Sequence, residues 1–454
     1  MKKNKYEIDM CNGSIMDKLI SFALPLMLSG ILQLMFNAVD LVVVGHFSGE
    51  EALAAVGSTT ALIAVFTNLF IGISLGANVL AARFYAAGRD KEMSDTVHTA
   101  ITLALISGVL MAVIGLIFAK GALQLMGTPD NVIDLSTLYM RIYFMGMPFF
   151  MLYNYGAAIL RAVGDTKRPL IFLIISGATN AVLNMILVIV FQLGVAGVAI
   201  GTVMSQLISC VLVLRCLCKT QSSYQLHFDR LAIKGDYVKL IFQVGIPAGI
   251  QSTVINFSNV LLQSSVNSFG ATAMAGYTAA NNLLGFLYVS VNAVTQACMS
   301  FTSQNYGVGK YKRMDRVLLD CLGLTVVVAG VLGGGAYLFG PQILRIYTTE
   351  ADVIACGMEI LSITTVPYFL CGIMDLFPGS LRGMGYSAVP MVLSVIGTVG
   401  TRILWIYGFF PHNRSLFFLF ISYPGSWIIT IVMQVICYLY VRKRCIGAEN
   451  AHLQ

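Results

Sequence analysis

The sequence predicts an all-α polytopic membrane protein: twelve transmembrane helices arranged as two parallel six-helix repeats. Three observations carry that prediction. Hydrophobic residues make up 57% of the 454 and charged residues only 11%, whereas soluble domains carry about a quarter charged residues. Apolar runs of about 20 residues, enough to cross about 30 Å of hydrocarbon, recur from end to end. The two halves also echo each other at a shift of 221 residues, as ILRAVGDTKRPLI (159–171) and SLRGMGYSAVPMV (380–392) show.

Apolar windows between loop signals place the spans near 15–41, 52–78, 97–118, 134–160, 169–191 and 195–217, then 238–265, 273–302, 317–340, 353–380, 390–409 and 416–440. The start, MKKNKYEIDMCNGS, has the basic character of a signal peptide. The segment behind it runs past Leu28 without a small-residue cleavage pattern, so it reads as a retained first helix. Pro25, Pro148, Pro247 and Pro367 fall inside spans, where each removes a backbone donor and favours a bend that neighbouring helices absorb.

The connections alternate in charge. Lys2, Lys3, Lys5 and Lys18 open the series, followed by Arg83, Arg89 and Lys91, then by Arg161, Lys167 and Arg168, and the pattern continues to Arg442, Lys443 and Arg444. The intervening connections hold little beyond Lys120, Arg345 and Arg414. Basic loops stay cytoplasmic, so both termini are expected inside, which requires an even number of spans. The net charge of +7 is accounted for by these clusters. They form no stripe with aromatics, and no nucleic-acid partner is expected.

Further echoes are YAAGRDKEM (85–93) with YGVGKYKRM (306–314), and ALPLMLSG (23–30) with GIPAGIQS (245–252), the last with a slip that sets Pro25 against Pro247. Six spans per unit is an even number, so both repeats enter the membrane the same way round. The expected organisation is a six-helix lobe over 1–220, a polar cytoplasmic linker over 221–237, and a second lobe over 238–454. Two matched lobes with polar interior faces are the architecture of rigid-body alternating access, which favours a transporter over a scaffold or channel.

Polar residues inside the spans mark the candidate sites. Gln33, Asn37 and Asp40 are spaced by four and three, so they share one face of span one. Asn180 and Asn184 lie one turn apart in span five, with Asn154 in span four and Thr202 and Gln206 in span six as expected neighbours. Asp40 is the only embedded acid of this pocket. A carboxylate at that depth is costly unless it faces a wet cavity or a partner, and a group that gains and loses charge there suits ion coupling. The plainer reading, an interfacial Asp40 ahead of HFSGEE, is opposed by LVVV, which adds more than a turn of apolar helix.

The second lobe repeats the stripe without the acid. Ser252, Asn256, Asn259 and Gln263 trace one face of span seven, and Leu262 is the shifted partner of Asp40. Asn281, Asn282, Asn292 and Gln296 add amides in span eight. Asp375 in span ten is the embedded acid late in this half: a second ion site, a substrate counter-charge or a helix-end residue.

Other signals are plainer. The ten cysteines include only one close pair, Cys216 and Cys218, with the wrong spacing for a metal site, and read as small apolar side chains. GISLG (72–76) is a close-contact GxxxG, and His46 is more readily an interfacial residue than a proton shuttle. Met and aromatic residues such as Phe66, Phe149, Tyr153 and Tyr288 mostly pack or face lipid, with a few suited to line a deformable cleft for flat cations. No phosphate-binding loop of the G-x-x-x-x-G-K-[ST] type and no clustered catalytic set occur, so neither ATP hydrolysis nor an enzyme is expected and energy must come from a gradient.

PLMLSGILQLMFNAVD (25–40), GHFSGEEALAAVG (45–57), LRAVGDTKRP (160–169) and its echo LRGMG (381–385) resemble the multidrug and toxic compound extrusion (MATE) family from about residue 15 to 440. The resemblance implies two six-helix lobes in a V shape, and exchange of organic cations or drugs for protons or sodium across the bacterial inner membrane. It assigns the first-lobe cation site to Asp40, with Asn180, Asn154 and Thr202 at matching positions. Asn184 stands where some members have an acid. The span-seven glutamate of the sodium-coupled branch falls near Ile255 and Asn256, neither acidic, and its span-ten aspartate falls about a turn before Asp375. These departures favour protons over a sodium ion at Asp40.

The expectation is therefore a secondary antiporter with no cofactor, acting on small cationic or aromatic molecules as a functional monomer in the bilayer. The alternative is a lipid-linked saccharide flippase of related architecture. Such a protein would line its cavity with Arg or Lys for pyrophosphate, and here only Arg141 and Arg402 approach membrane depth, both toward the outside.

Overall fold

A computed structural model describes residues 5–452, with backbone alone for Ala61 and 445–452. Lys2 and Lys3, the outermost ends of the two expected lobes and the Cys445 side chain lie outside what is described. The helices in chain order are α1 (Met16–Phe47), α2 (Glu50–Ala86), α3 (Asp90–Leu125), α4 (Asp130–Met145), α5 (Met147–Ala162), α6 (Lys167–Met185) and α7 (Gly194–Lys219). The second half has α8 (Gly235–Asn267), α9 (Ala271–Gly307), α10 (Tyr311–Leu338), α11 (Gly340–Leu344), α12 (Ala351–Thr364), α13 (Tyr368–Gly383), α14 (Ala388–Ser394), α15 (Thr401–Leu404), α16 (Leu416–Phe420) and α17 (Ser422–His452).

Among the described residues ten helical stretches are long and apolar enough to cross a membrane, and α12 with α13, bent by 49°, makes an eleventh. The twelfth is α4 with α5. That pair is interrupted at Gly146, ahead of Pro148, and it begins and ends 221 residues before α12 and α13 begin and end. Both interruptions sit at a proline because the missing N–H and the ring clash break the hydrogen-bond ladder there.

The duplication is written into the backbone as well. Gly49, Gly88 and Gly164 have φ of 89°, 66° and 94°, and their partners Gly270, Gly309 and Gly385 have 93°, 71° and 92°. Each ends or begins a helix in the left-handed region where a side chain is strained, which explains why these glycines recur at one spacing. A π turn over Ile186–Val190 extends α6, and two more over Val395–Gly400 and Trp405–Phe409 interrupt its counterpart in the second half.

The chain divides into two compact units. The first comprises 1–8 and 28–249, and the second 9–27 and 250–454. Residues 9–27 thus group with the second unit and 221–249 with the first, a division that differs from lobes cut only at the linker. In α1 and α8 alike it falls two residues past the internal proline, Pro25 or Pro247.

Within the first unit α5 packs on α2, α3 and α7, α4 on α2, α3 and α7, and α6 on α7. The buried centre there includes Phe144, Met147, Met151 and Tyr155. GISLG is the close contact its spacing implied. A Cβ at Gly72 would collide with the backbone of Gly249, and one at Gly76 with the carbonyl of Ile241, so α2 and the start of α8 touch backbone to backbone. Within the second unit α9 packs on α10, α12 and α13, and α13 on α10 and α17.

The linker is less free than its polar composition implied. Tyr224 and Leu226 are buried against the first unit's core, and Phe228–Arg230 forms a short 3₁₀ turn. Tyr224 donates to Glu7 Oε1 (2.7 Å), the His227 N–H donates to His98 Nε2 (3.1 Å), and Lys234 pairs with Asp95 (2.6 Å). Burial pushes the Tyr224 hydroxyl up to about 12, so it stays protonated as a donor.

Candidate functional site

In α1 the i, i+3, i+4 spacing that places Asn37 and Asp40 on one face turns Asp40 inward. Its residue is 8% exposed, while Gln33 and Asn37 remain exposed. Asn180 and Asn184, a turn apart on α6, are both buried, and Thr202 of α7 completes the group. The Asn184 Nδ2 donates to Asp40 Oδ1 at 2.5 Å and lies 3.3 Å from Asn180 Oδ1. The Thr202 hydroxyl is 3.4 Å from Asp40 Oδ2 and 3.0 Å from the Val198 carbonyl, so its single proton serves one of them at a time. The Asn180 Nδ2 reaches Thr202 Oγ1 at 3.5 Å.

Two features define what this group can do. No Lys, Arg or His forms an ion pair with Asp40 among the described residues. Its charge is met only by an amide and a hydroxyl, an arrangement that a proton or a small cation would complete. The buried Asn184 Oδ1 has no hydrogen-bond partner. Together with the Asp40, Asn180 and Thr202 oxygens it makes a set of hard oxygen donors, the kind that alkali and other hard cations take.

Asn154 does not join the group. Its Nδ2 donates to the Phe150 carbonyl of its own helix at 2.8 Å. His46 is exposed at the far end of α1. Two residues that spacing could not reveal do lie close: Tyr139 and Tyr143 of α4, stacked 6.1 Å apart, are within electrostatic reach of Asp40. In sequence they look like any other aromatic core residues. Gly201 is the third. A Cβ there would overlap Asn184 Oδ1, so this glycine holds space for the amide.

The second-lobe candidates do not converge. Asn256, Gln263 and Asn282 are exposed. Asn259 accepts from Arg402 Nη1 at 2.9 Å. Asp375 is half-buried, and the charge facing it is Arg382, whose Nη2 donates to Gln251 Oε1 at 2.5 Å. Arg402 is 3% exposed, with the half-buried Asn259 and Tyr423 against it.

The MatE family model matches residues 25–186 and again residues 247–407, one match per repeat. The chain belongs to the MATE family. It is 29% identical over 433 residues to the probable multidrug resistance protein YoeA of Bacillus subtilis, covering 93% of each chain. To the multidrug export protein MepA of Staphylococcus aureus it is 22% identical, covering 86% of each. A MATE crystal structure in the bent conformation superposes with a TM-score of 0.88 at 20% identity over 98% of each chain. An outward-facing multidrug resistance MATE transporter gives 0.88 at 20% identity, covering 99% of this chain and 100% of that one. As a MATE protein the chain is a bacterial multi-pass membrane protein and a secondary active, cofactor-free transporter of small organic substrates rather than an enzyme. The flippase alternative is not the family that matches.

Proposed function

We propose that this MATE transporter exports organic cations and aromatic drugs from the cytoplasm by alternating access, in exchange for protons taken up at Asp40. The relatives are described as multidrug resistance and export proteins, which supports drugs as cargo. The observation that carries the coupling is an acid buried among neutral partners, with Asn184, Asn180 and Thr202 around it and no ion pair to it among the described residues. When Asp40 is ionised, Asn184 and Thr202 donate to it. When Asp40 is protonated, it becomes a donor itself and those two must re-aim. Because Asp40, Asn180 and Asn184, and Thr202 belong to three different helices, the protonation change is converted into relative helix movement. Exchange stays coupled if the empty carrier with ionised Asp40 rarely reorients, which a difference of about 3 kcal/mol between the two arrangements secures.

Sodium is the second reading, and the unpartnered Asn184 Oδ1 is what favours it: the same oxygens that meet a proton would hold Na⁺. Asp375 is proposed as a charge partner of Arg382 rather than as a second ion site. The basic loops support two cytoplasmic termini in the inner membrane, and each chain carries a complete polar group of its own, which supports a functional monomer. Proteoliposomes given a pH gradient or a sodium gradient separately, with a panel of aromatic cations, test the proposal. Cation movement driven by the pH gradient alone is expected, and movement under neither gradient would reject exchange at Asp40.

A further inference from the structure

In the duplicated frame the polar group of the first unit has a counterpart of opposite sign. The α8 slip sets Asn37 and Asp40 against Asn259 and Leu262. The π turn over Val395–Gly400 adds one residue to its helix, which sets Asn180 against Arg402, and Thr202 falls against Tyr423. Leucine has replaced the acid and a guanidinium has replaced an amide.

The Arg402 charge has no acid to balance it. The residue is 3% exposed, its Nη1 donates to Asn259 Oδ1 at 2.9 Å, and its Cζ lies 4.2 Å from the centre of the Tyr423 ring. Its Nε is buried without a hydrogen-bond partner, and no carboxylate lies within ion-pair distance among the described residues. A buried cation met by an amide and a ring, with no carboxylate paired to it among the described residues, is held at a cost that an anion would relieve. Asn256 and Gln263 are exposed on the same face of α8 as the half-buried Asn259, and amides at membrane depth belong against water rather than lipid.

We propose that the second unit carries an anion site at Arg402, taking the carboxylate of aromatic or amphoteric substrates. The planar fork suits the two carboxylate oxygens. One guanidinium, with no second Arg or Lys hydrogen-bonded into the group, balances one negative charge and not the two of a phosphate. The rings around the fork, Tyr423 with Phe420 stacked on it and Trp427 at its edge, make the surroundings aromatic, which suits an aromatic carboxylate. This deepens the drug-export reading and rests on it for its substrate: the coupling ion is met at the acid of the first unit, the substrate's carboxylate at the guanidinium of the second.

The test is calorimetric titration of benzoate into detergent-purified full-length protein, without added gradient. Wild type is expected to bind benzoate saturably, Arg402→Gln to weaken binding at least ten-fold, and Arg402→Lys to restore part of it. Benzamide, without the charge, and inorganic phosphate are expected to bind at least ten-fold more weakly than benzoate. If Arg402→Gln does not fold, Asn259→Leu, which keeps the charge but removes its anchor, is expected to weaken benzoate by a smaller factor. Absence of saturable binding by wild type, equal binding of benzamide or phosphate, or benzoate affinity untouched by both variants would overturn the site. Because binding is read without transport, such a result leaves gradient-driven cation export to be judged separately.

Discussion

Gly201→Ala gives the sharpest access to the Asp40 group, because it adds one methyl and touches no titratable atom. The new Cβ would overlap Asn184 Oδ1 and approach its Cγ to 3.3 Å. Asn184 is fully buried, so the amide cannot swing into free space. Flipping it only exchanges Oδ1 for Nδ2 at the same clash. The amide must withdraw, and the bond from Asn184 to Asp40 goes with it. Overpacking of a tight site costs about 1–3 kcal/mol, and a hydrogen bond to a charged group contributes about 1.5–3 kcal/mol. The expected loss is about 2.5–6 kcal/mol in all. The part borne by Asp40 corresponds to roughly a 10- to 100-fold change in its ion affinity.

Two assays read this together: thermal unfolding of the purified protein, and the pH profile of gradient-driven cation efflux in proteoliposomes. Both are expected to shift. Adding Gly201→Ala to Asn184→Ala is expected to do little more than Asn184→Ala alone, since the clash and the bond share one side chain. Wild-type unfolding together with an unchanged pH profile in Gly201→Ala would refute the steric argument and the role given to Asn184.

Other outcomes follow from the same coordinates. Asp40→Asn is expected to abolish gradient-driven efflux while the protein still inserts and elutes as a folded species, because removing a buried charge also removes its desolvation cost; undiminished efflux would reject the coupling role. Gly76→Leu drives a side chain into the Ile241 carbonyl, and a loss of about 3 kcal/mol or more in thermal unfolding is expected where backbone meets backbone. Tyr224→Phe removes the donor to Glu7 and should cost about 1.5–3 kcal/mol in the same assay. His98→Ala takes away the acceptor for the His227 N–H, so amide exchange there should quicken by roughly five-fold, the equivalent of about 1 kcal/mol.

Sequence patterning was sufficient for the crossings and their duplication. Hydrocarbon demands a continuous apolar helix whatever its neighbours are, so each span is a local property of about 20 residues. The repeated glycines at 49, 88 and 164 and at 270, 309 and 385 are local too, since a left-handed backbone selects its residue without help from distant chain. The face of α1 that carries Asp40, and the turn that pairs Asn180 with Asn184, follow from helical periodicity alone. Periodicity assigns a face but not its partner. Asn154 shares the polar character of the group yet bonds to its own helix, while Tyr139, Tyr143 and Gly201 belong to the neighbourhood of Asp40 without any mark in the sequence.

The linker shows the same limit from the other side. Its composition is that of a solvated hinge, yet Tyr224 finds Glu7 from the start of the chain and is buried. What the residues determined by themselves was the number of the helices and which faces are polar, because membrane solvation acts on each segment separately. Only the tertiary structure decided that Asp40 meets Asn184 and Thr202, and that Arg402 turns inward onto Asn259 and Tyr423 with no acid paired to it among the described residues. Those outcomes depend on helix rotation and depth fixed by packing between separate segments, a contact energy that no single segment carries.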